Sequence, residues 1–73
     1  MSKLKVLSGR EVCKILMHNG FKKVRQKGSY IFMQKKEKQT TVTIPVPDHD
    51  DLKIGTLAGI IRQSGLPRSF FEI

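Results

Sequence analysis

Apolar residues recur at helical spacing in the first part of the chain, and this pattern predicts a first helix beginning at Gly9. The positions at the three- and four-residue spacing of one helical face are Val12, Ile15, Leu16 and Asn19, with Cys13 and Met17 beside them. Ser8 and Glu11 form an S-x-x-E capping box ahead of this stripe. Gly20 follows it and suits the left-handed conformation in which helices end.

Beyond the helix the pattern changes to that of strands. The predicted strands cover residues 21–26, 29–34 and 39–44. Lys27 and Gly28 separate the first two strands, which predicts a hairpin with a tight turn. Residues 35–38 form a charged connection to the third strand, and Pro45 and Pro47 are expected to end that strand.

A second amphipathic helix is predicted to start near Lys53 and to end at Gly65. Its apolar positions with helical spacing are Ile54, Leu57, Ala58 and Ile61, with Ile60 widening the stripe. Asp50 and Asp51 are expected to cap this helix, because carboxylates suit the positive end of the helix dipole. Phe70 and Phe71 remain to cover an edge of the core.

The element order predicts an α+β fold, α-β-β-β-α. Two helices would cover one face of a three-stranded antiparallel sheet and leave the other face to solvent. This is the layout of a double-stranded-RNA-binding domain, although such a layout does not by itself establish function. The length of 73 residues suits a single domain over residues 1–73.

Charge narrows the choice of partner. The chain has 14 Lys and Arg against 6 Asp and Glu, a net charge of +8, and the excess lies within residues 1–38. Its densest cluster contains Lys22, Lys23, Arg25, Lys27, Lys35, Lys36 and Lys38. A solvated surface, a membrane and duplex DNA are alternatives, but one-signed charge on adjacent elements favours a nucleic-acid partner.

The sequence contains few residues that indicate metal, cofactor or acid–base chemistry. Cys13 is the one cysteine, no residue spacing is typical of a metal site, and no cofactor motif occurs, so neither metal nor cofactor is predicted. The chain begins without a signal-like segment, which favours a cytoplasmic protein. His18 is interpreted as structural, near a helix end. His49, in an acidic loop, either packs there or belongs to a site.

Several blocks in order resemble the HicA family of small basic toxins. They are Ser8–Val12, Gly20–Phe21, Arg25–Ser29, Val46–His49, Leu52–Leu57 and Ile60–Leu66. The resemblance covers nearly the whole chain. It implies a double-stranded-RNA-binding-like fold, cleavage of mRNA without a metal, and neutralisation by a HicB-like antitoxin.

The family pattern differs from this chain at one position. Members typically have Gly-Ser-His in the second strand with a catalytic histidine, whereas this chain has Gly28, Ser29 and Tyr30. A base for the ribose 2′-hydroxyl works best when it titrates near neutral pH, and free tyrosine has a pKa of about 10. Tyr30 therefore occupies the catalytic position with an unusual side chain.

Three hypotheses follow for catalysis. Tyr30 is a proton donor or orienting group in a slower ribonuclease, or His49 does the acid–base work while Tyr30 stacks on a base. Alternatively, cleavage is lost, which leaves a non-catalytic RNA-binding or antitoxin-binding module. A packed core tyrosine is also possible, because Ile31 and Met33 alternate with Tyr30 and Phe32. The predicted RNA-binding residues are Lys22, Lys23, Arg25, Lys27, Gly28, Ser29, Lys35 and Lys36.

Overall fold

A computed structural model describes residues 6–72, and the amino-terminal segment without a predicted signal lies outside this range. The elements are helix α1 (Gly9–Met17), strands β1 (Lys22–Lys27), β2 (Tyr30–Lys36) and β3 (Thr41–Pro47), helix α2 (Ile54–Ser64) and a 3₁₀ turn (Arg68–Phe71). The strands pair antiparallel in the order β1-β2-β3. The predicted α-β-β-β-α order and α+β class are confirmed. Within the described residues, no helix is long and apolar enough to cross a membrane.

Helix α1 begins at Gly9, as the capping box predicts. The Glu11 amide donates to Ser8 Oγ at 3.1 Å, and the Ser8 amide donates to Glu11 Oε1 at 2.9 Å. These two bonds satisfy backbone donors that have no partner inside the helix. At the other end Gly20 has a φ of 95°, and the Phe21 amide returns to the Leu16 carbonyl at 3.0 Å.

The start of α1 lies directly against the end of β3. A Cβ atom at Gly9 would overlap the Pro47 carbonyl oxygen and would lie 3.1 Å from the Asp48 Cα. Because both neighbours are backbone atoms, neither can move aside by a change of rotamer. The Gly9 amide uses this proximity to donate to the His49 carbonyl at 2.9 Å.

Strand β3 continues through both prolines, so the prediction that Pro45 and Pro47 end it is wrong. Within residues 6–72 the strand lies at an edge of the sheet and pairs with β2. Residues two apart direct their backbone nitrogens to the same side of a strand. Pro45 and Pro47 can therefore place both missing donors on the open side, where no ladder hydrogen bond is lost.

Helix α2 buries three of its five predicted apolar positions, together with one polar residue that was not predicted. Leu57, Ile60, Ile61 and Ser64 are buried, whereas Ile54 and Ala58, both predicted core positions, are exposed. The apolar pattern missed Ser64 because its side chain is polar. Ser64 is satisfied internally: its hydroxyl donates to the Ile61 carbonyl at 2.7 Å and accepts from the Leu66 amide at 3.1 Å.

The start of α2 also differs from the prediction. Lys53 occupies the N-cap position with no capping side-chain hydrogen bond, and the first turn contains no acidic residue. Asp50 and Asp51 precede the cap in the loop, so they do not cap the helix as expected. Gly65 ends the helix in the left-handed conformation, with a φ of 71°, as predicted.

The core lies between the helices and one face of the sheet. Ile31 and Met33 on β2 and Ile44 and Val46 on β3 are buried with Leu16, Leu57 and Phe71. The side chain of Tyr30 is 47% exposed. Of the two alternating sets of side chains on β2, the set with Ile31 and Met33 therefore faces the helices. The interpretation of Tyr30 as a packed core residue is wrong.

We expect Gly9→Ala to destabilise the protein by about 1–3 kcal/mol, because the added methyl group must displace the backbone of β3. The free energy of unfolding in urea measures this loss. Gly59→Ala is the matched control, since a Cβ at Gly59 in α2 meets nothing within 4 Å. It should be neutral or stabilise by up to about 1 kcal/mol. Equal effects of the two substitutions would contradict the close contact at Gly9.

Candidate nucleic-acid interface

The solvent face of the sheet, called here the outer face, carries most of the basic strand residues. Cross-strand partners share a face, and Ile31 and Met33 define the helix side. The outer face is therefore formed by Lys22, Arg25 and Lys27 of β1, by Tyr30, Phe32, Gln34 and Lys36 of β2, and by Thr41, Thr43, Pro45 and Pro47 of β3. Its basic residues are all exposed.

A β-bulge decides which cations come together. The register between β1 and β2 shifts between Lys23 and Arg25, so that Lys23 pairs with Met33 and Arg25 pairs with Phe32. Strict alternation would have placed Lys23 and Arg25 on the same face. The bulge instead turns Arg25 to the outer face, which is a common use of this irregularity.

Two predicted RNA-binding lysines point elsewhere. Lys23 is on the helix side of β1, where its Nζ donates to Gln26 Oε1 at 3.1 Å. Lys35 is two residues beyond the buried Met33, and its Nζ lies 5.8 Å from the centroid of the Phe21 ring. The predicted basic cluster is thus divided between the two sides of the sheet.

The Gly28–Ser29 turn joins β1 to β2 beside the outer face. Gly28 has a φ of 59°, and no residue other than glycine has a positive φ in the described chain. Glycine first in a two-residue hairpin turn is typical of a type II′ turn, which matches the twist of the strands. The turn places Lys27 opposite Tyr30.

A pocket of about 270 Å³ opens where β2 begins and β3 ends, and it contains both candidate catalytic residues. Its lining is Tyr30, Pro47, His49, Asp51, Leu52, Lys53 and Thr56. Tyr30 and His49 thus come together at one site although 19 positions separate them in the sequence. His18 is exposed at the C-cap of α1 and is not among the lining residues.

Backbone hydrogen bonds fix the two halves of this pocket relative to each other. The Asp48 amide donates to the Ser29 carbonyl at 2.6 Å, so the residues immediately before His49 and Tyr30 are joined directly. The Leu52 amide donates to the Leu7 carbonyl at 2.9 Å and fixes the far end of the loop. The loop between β3 and α2 is therefore tied down at both ends.

An exposed ion pair adds a side-chain contact to the same loop. Arg10 Nε lies 3.3 Å from Asp48 Oδ1, and the Arg10 side chain is 80% exposed. Such solvated pairs contribute at most about 1 kcal/mol. The backbone bonds, and not this pair, are the main support of the pocket.

Sequence reasoning missed the contribution of helix α2 to the pocket. Lys53 and Thr56 lie one turn apart at the start of α2 and both line the cavity. Their three-residue spacing on a helix start was visible, but nothing in the sequence indicated that this start faces β2. Among the described residues, no group of three or more His, Cys, Asp or Glu is arranged to hold a metal ion.

Cys13 is buried in the core. Burial raises the pKa of its thiol above the ordinary value of 9.0, the charge of Asp48 raises it further, and Lys23 acts in the opposite direction. The neutral thiol is therefore the favoured form in the folded protein. This makes Cys13 a packing residue and not a nucleophile.

The fold and the site define a small basic α+β domain of the double-stranded-RNA-binding type with a pocket beside its exposed sheet face. The family model described as HicA toxin of bacterial toxin-antitoxin matches residues 9–66. The chain therefore belongs to the HicA toxin family, as its sequence blocks predicted. It is a toxin of a bacterial toxin-antitoxin system, and its partner is a cognate antitoxin. A comparison with curated proteins gives no match.

We expect alkaline pH to destabilise the fold partly through Cys13. Its pKa is raised on folding, so above about pH 9 the unfolded chain loses the thiol proton more readily and stability falls. Unfolding free energies measured between neutral pH and pH 10 should decline more steeply for the wild-type protein than for Cys13→Ala. Parallel curves would contradict this role of the thiol.

Proposed function

We propose that this toxin is a metal-independent endoribonuclease that acts on mRNA in the cytoplasm, with Tyr30 and His49 as its catalytic residues. The observation that carries the proposal is their shared pocket. Tyr30 occupies the position of the family histidine. His49 supplies, from a neighbouring loop, the imidazole that the position itself lacks.

The two side chains suit the two proton transfers of RNA cleavage. A base removes the proton of the ribose 2′-hydroxyl, the oxygen attacks the adjacent phosphorus, and the departing 5′-oxygen receives a proton. In our proposal the His49 imidazole takes the first proton. The Tyr30 phenol gives the second proton to the departing 5′-oxygen, and solvent then returns both side chains to their starting protonation states. Lys53 supplies positive charge at the same cavity.

The outer face would guide the RNA backbone to this pocket. Lys22, Arg25, Lys27 and Lys36 share that face, and the Gly28–Ser29 turn lies between Lys27 and Tyr30. Lys23 and Lys35 lie on the opposite side of the sheet, so we leave them out of the proposed contact. An acidic HicB-like antitoxin that covered the same cations would block access of RNA.

A second candidate is a non-catalytic RNA-binding or antitoxin-binding module. The observation in its favour is the tyrosine at the catalytic position. Because Tyr30 is exposed, its substitution changes the chemistry of the pocket without affecting the core. In this alternative the toxin retains its fold and partners and has lost cleavage.

Cleavage of a long unstructured RNA by antitoxin-free protein in EDTA distinguishes these candidates. We expect the wild-type protein to cut, and His49→Ala to lower the rate by about 10²–10⁴-fold because the base is lost. Tyr30→Phe, which removes only the hydroxyl, should also slow cleavage. His18→Ala is the matched control, since His18 is an exposed histidine outside the pocket.

Each outcome of this assay selects one candidate. Cleavage by the wild-type protein that depends on both His49 and the Tyr30 hydroxyl supports the proposed ribonuclease. Cleavage by Tyr30→His alone supports the non-catalytic module. An activity that survives His49→Ala unchanged would remove His49 from the mechanism.

We expect RNA binding to depend steeply on salt through the outer-face cations. Lys27→Gln should reduce the slope of log affinity against log salt by about 0.7, the value for one phosphate contact on a single strand. Lys14→Gln is the control, because Lys14 is an exposed lysine of α1, on the other side of the sheet. Equal slopes for Lys27→Gln and wild type would show that Lys27 does not contact phosphate.

A further inference from the structure

Two aromatic side chains stand in the middle of the outer face, and each lies between a cation and a proline. The first cross-strand row is Lys27, Tyr30 and Pro47, and the second is Arg25, Phe32 and Pro45. Tyr30 belongs to the pocket, whereas Phe32 lies one row farther along β2 and outside it. The function described above gives Phe32 no role.

Phe32 is not a core residue. It is half-buried, yet it belongs neither to the buried cluster nor to the apolar residues that pack against that cluster. Its neighbour is instead the Arg25 guanidinium, whose central carbon lies 4.8 Å from the ring centroid. The pair thus places a positive charge over an aromatic ring on the side of the sheet opposite the core.

The surroundings of the pair match a polyanion. The three strands contain six Lys or Arg and no Asp or Glu. The next row beyond Phe32 is Lys22, Gln34 and Thr43, in which Gln34 Nε2 donates to Thr43 Oγ1 at 3.2 Å. Cations thus continue along β1, while polar groups capable of contact with base edges lie beside them.

We propose that the Arg25–Phe32 pair is a stacking subsite for an unpaired base next to the Tyr30–His49 pocket. Tyr30 and Phe32 are two residues apart on one strand, a separation of about 6.6 Å, so each ring can carry its own base. The β1 cations then follow the phosphates, an arrangement common in single-strand binding sites. This inference rests on the proposed action on RNA and specifies that the RNA is bound single-stranded.

Stacking on Phe32 requires a free base face. In a duplex each base is already stacked and paired, and protein contacts are made mainly through backbone and groove shape. The Arg25–Phe32 subsite therefore predicts that the protein prefers single-stranded RNA, although the overall layout is that of a double-stranded-RNA-binding domain. In this proposal the preference for single-stranded RNA arises from the outer face of the sheet and not from the helices.

The test measures binding by fluorescence anisotropy with the full chain, free of antitoxin. The probe is a labelled 2′-O-methyl oligouridylate of about eight nucleotides, which cannot be cleaved through its 2′-oxygen. We expect Phe32→Leu to weaken binding by about tenfold through loss of the stacking ring, and Phe32→Tyr to bind within about twofold of wild type. Phe70→Leu is the control, because Phe70 is an exposed phenylalanine, at 47%, that lies in the 3₁₀ turn and not on the sheet.

A second measurement does not depend on whether Phe32→Leu folds. Wild-type protein is photocrosslinked to the same oligonucleotide with 4-thiouridine in place of uridine, and the modified peptide is mapped. We expect crosslinks at Phe32 and Tyr30, which are neighbours on β2. Crosslinks confined to α1 or α2 would overturn the proposed subsite.

The outcomes separate this inference from the proposed function. Wild-type binding that Phe32→Leu does not weaken, or that favours an RNA duplex of the same length, overturns the stacking subsite and leaves ribonuclease action standing. Cleavage dependent on His49 together with selective loss of binding in Phe32→Leu supports both. Absence of any RNA binding by the wild-type protein overturns both.

Discussion

The contact between the first turn of α1 and the end of β3 is the constraint on which the candidate site depends. At Gly9 the helix lies so close to the Pro47 carbonyl that no side chain fits, and the Gly9 amide donates to the His49 carbonyl. The Ser29 carbonyl accepts from the Asp48 amide on the same short segment. Helix α1, the β1–β2 turn and the loop before α2 are therefore joined at one point. These backbone contacts fix the relative position of Tyr30 and His49.

The two faces of the sheet differ in the residues they carry: one face packs in the core, and the other carries the proposed RNA contacts. The helix side buries Ile31, Met33, Ile44 and Val46, whose removal from water stabilises the fold. The outer face carries cations and the two aromatic rings, and the pocket lies beside it, between Tyr30 and the start of α2. Since Tyr30 makes no contribution to the core cluster, the family position can hold histidine or tyrosine without a change of fold. Membership of the HicA family and a tyrosine at position 30 are thus physically compatible.

Prediction from the sequence failed at two kinds of position: a polar residue that is buried, and a proline that is accommodated within a strand. In α2 the pattern correctly named Leu57, Ile60 and Ile61, but it missed Ser64, whose hydroxyl is satisfied locally, and it included Ile54 and Ala58, which are exposed. Pro45 and Pro47 continue a strand because β3 is an edge that needs no donor on its open side. In both cases the rule that links residue type to structure holds in general. The exception arises from the surroundings of the residue in the fold: a local hydrogen-bond partner for Ser64, and, among the described residues, the lack of a neighbouring strand for the two prolines.

The sequence by itself determined the order of elements, the start of α1, the hairpin turn, the excess of positive charge and the HicA family, because these depend on local periodicity, capping chemistry and short residue blocks. Only the tertiary structure decided that Tyr30 and His49 share a pocket with Lys53, and that Arg25, unlike Lys23, lies on the outer face. The first result requires strand pairing and loop closure between residues distant along the chain. The second depends on one bulge, and a register shift of a single residue reverses the face of every side chain beyond it.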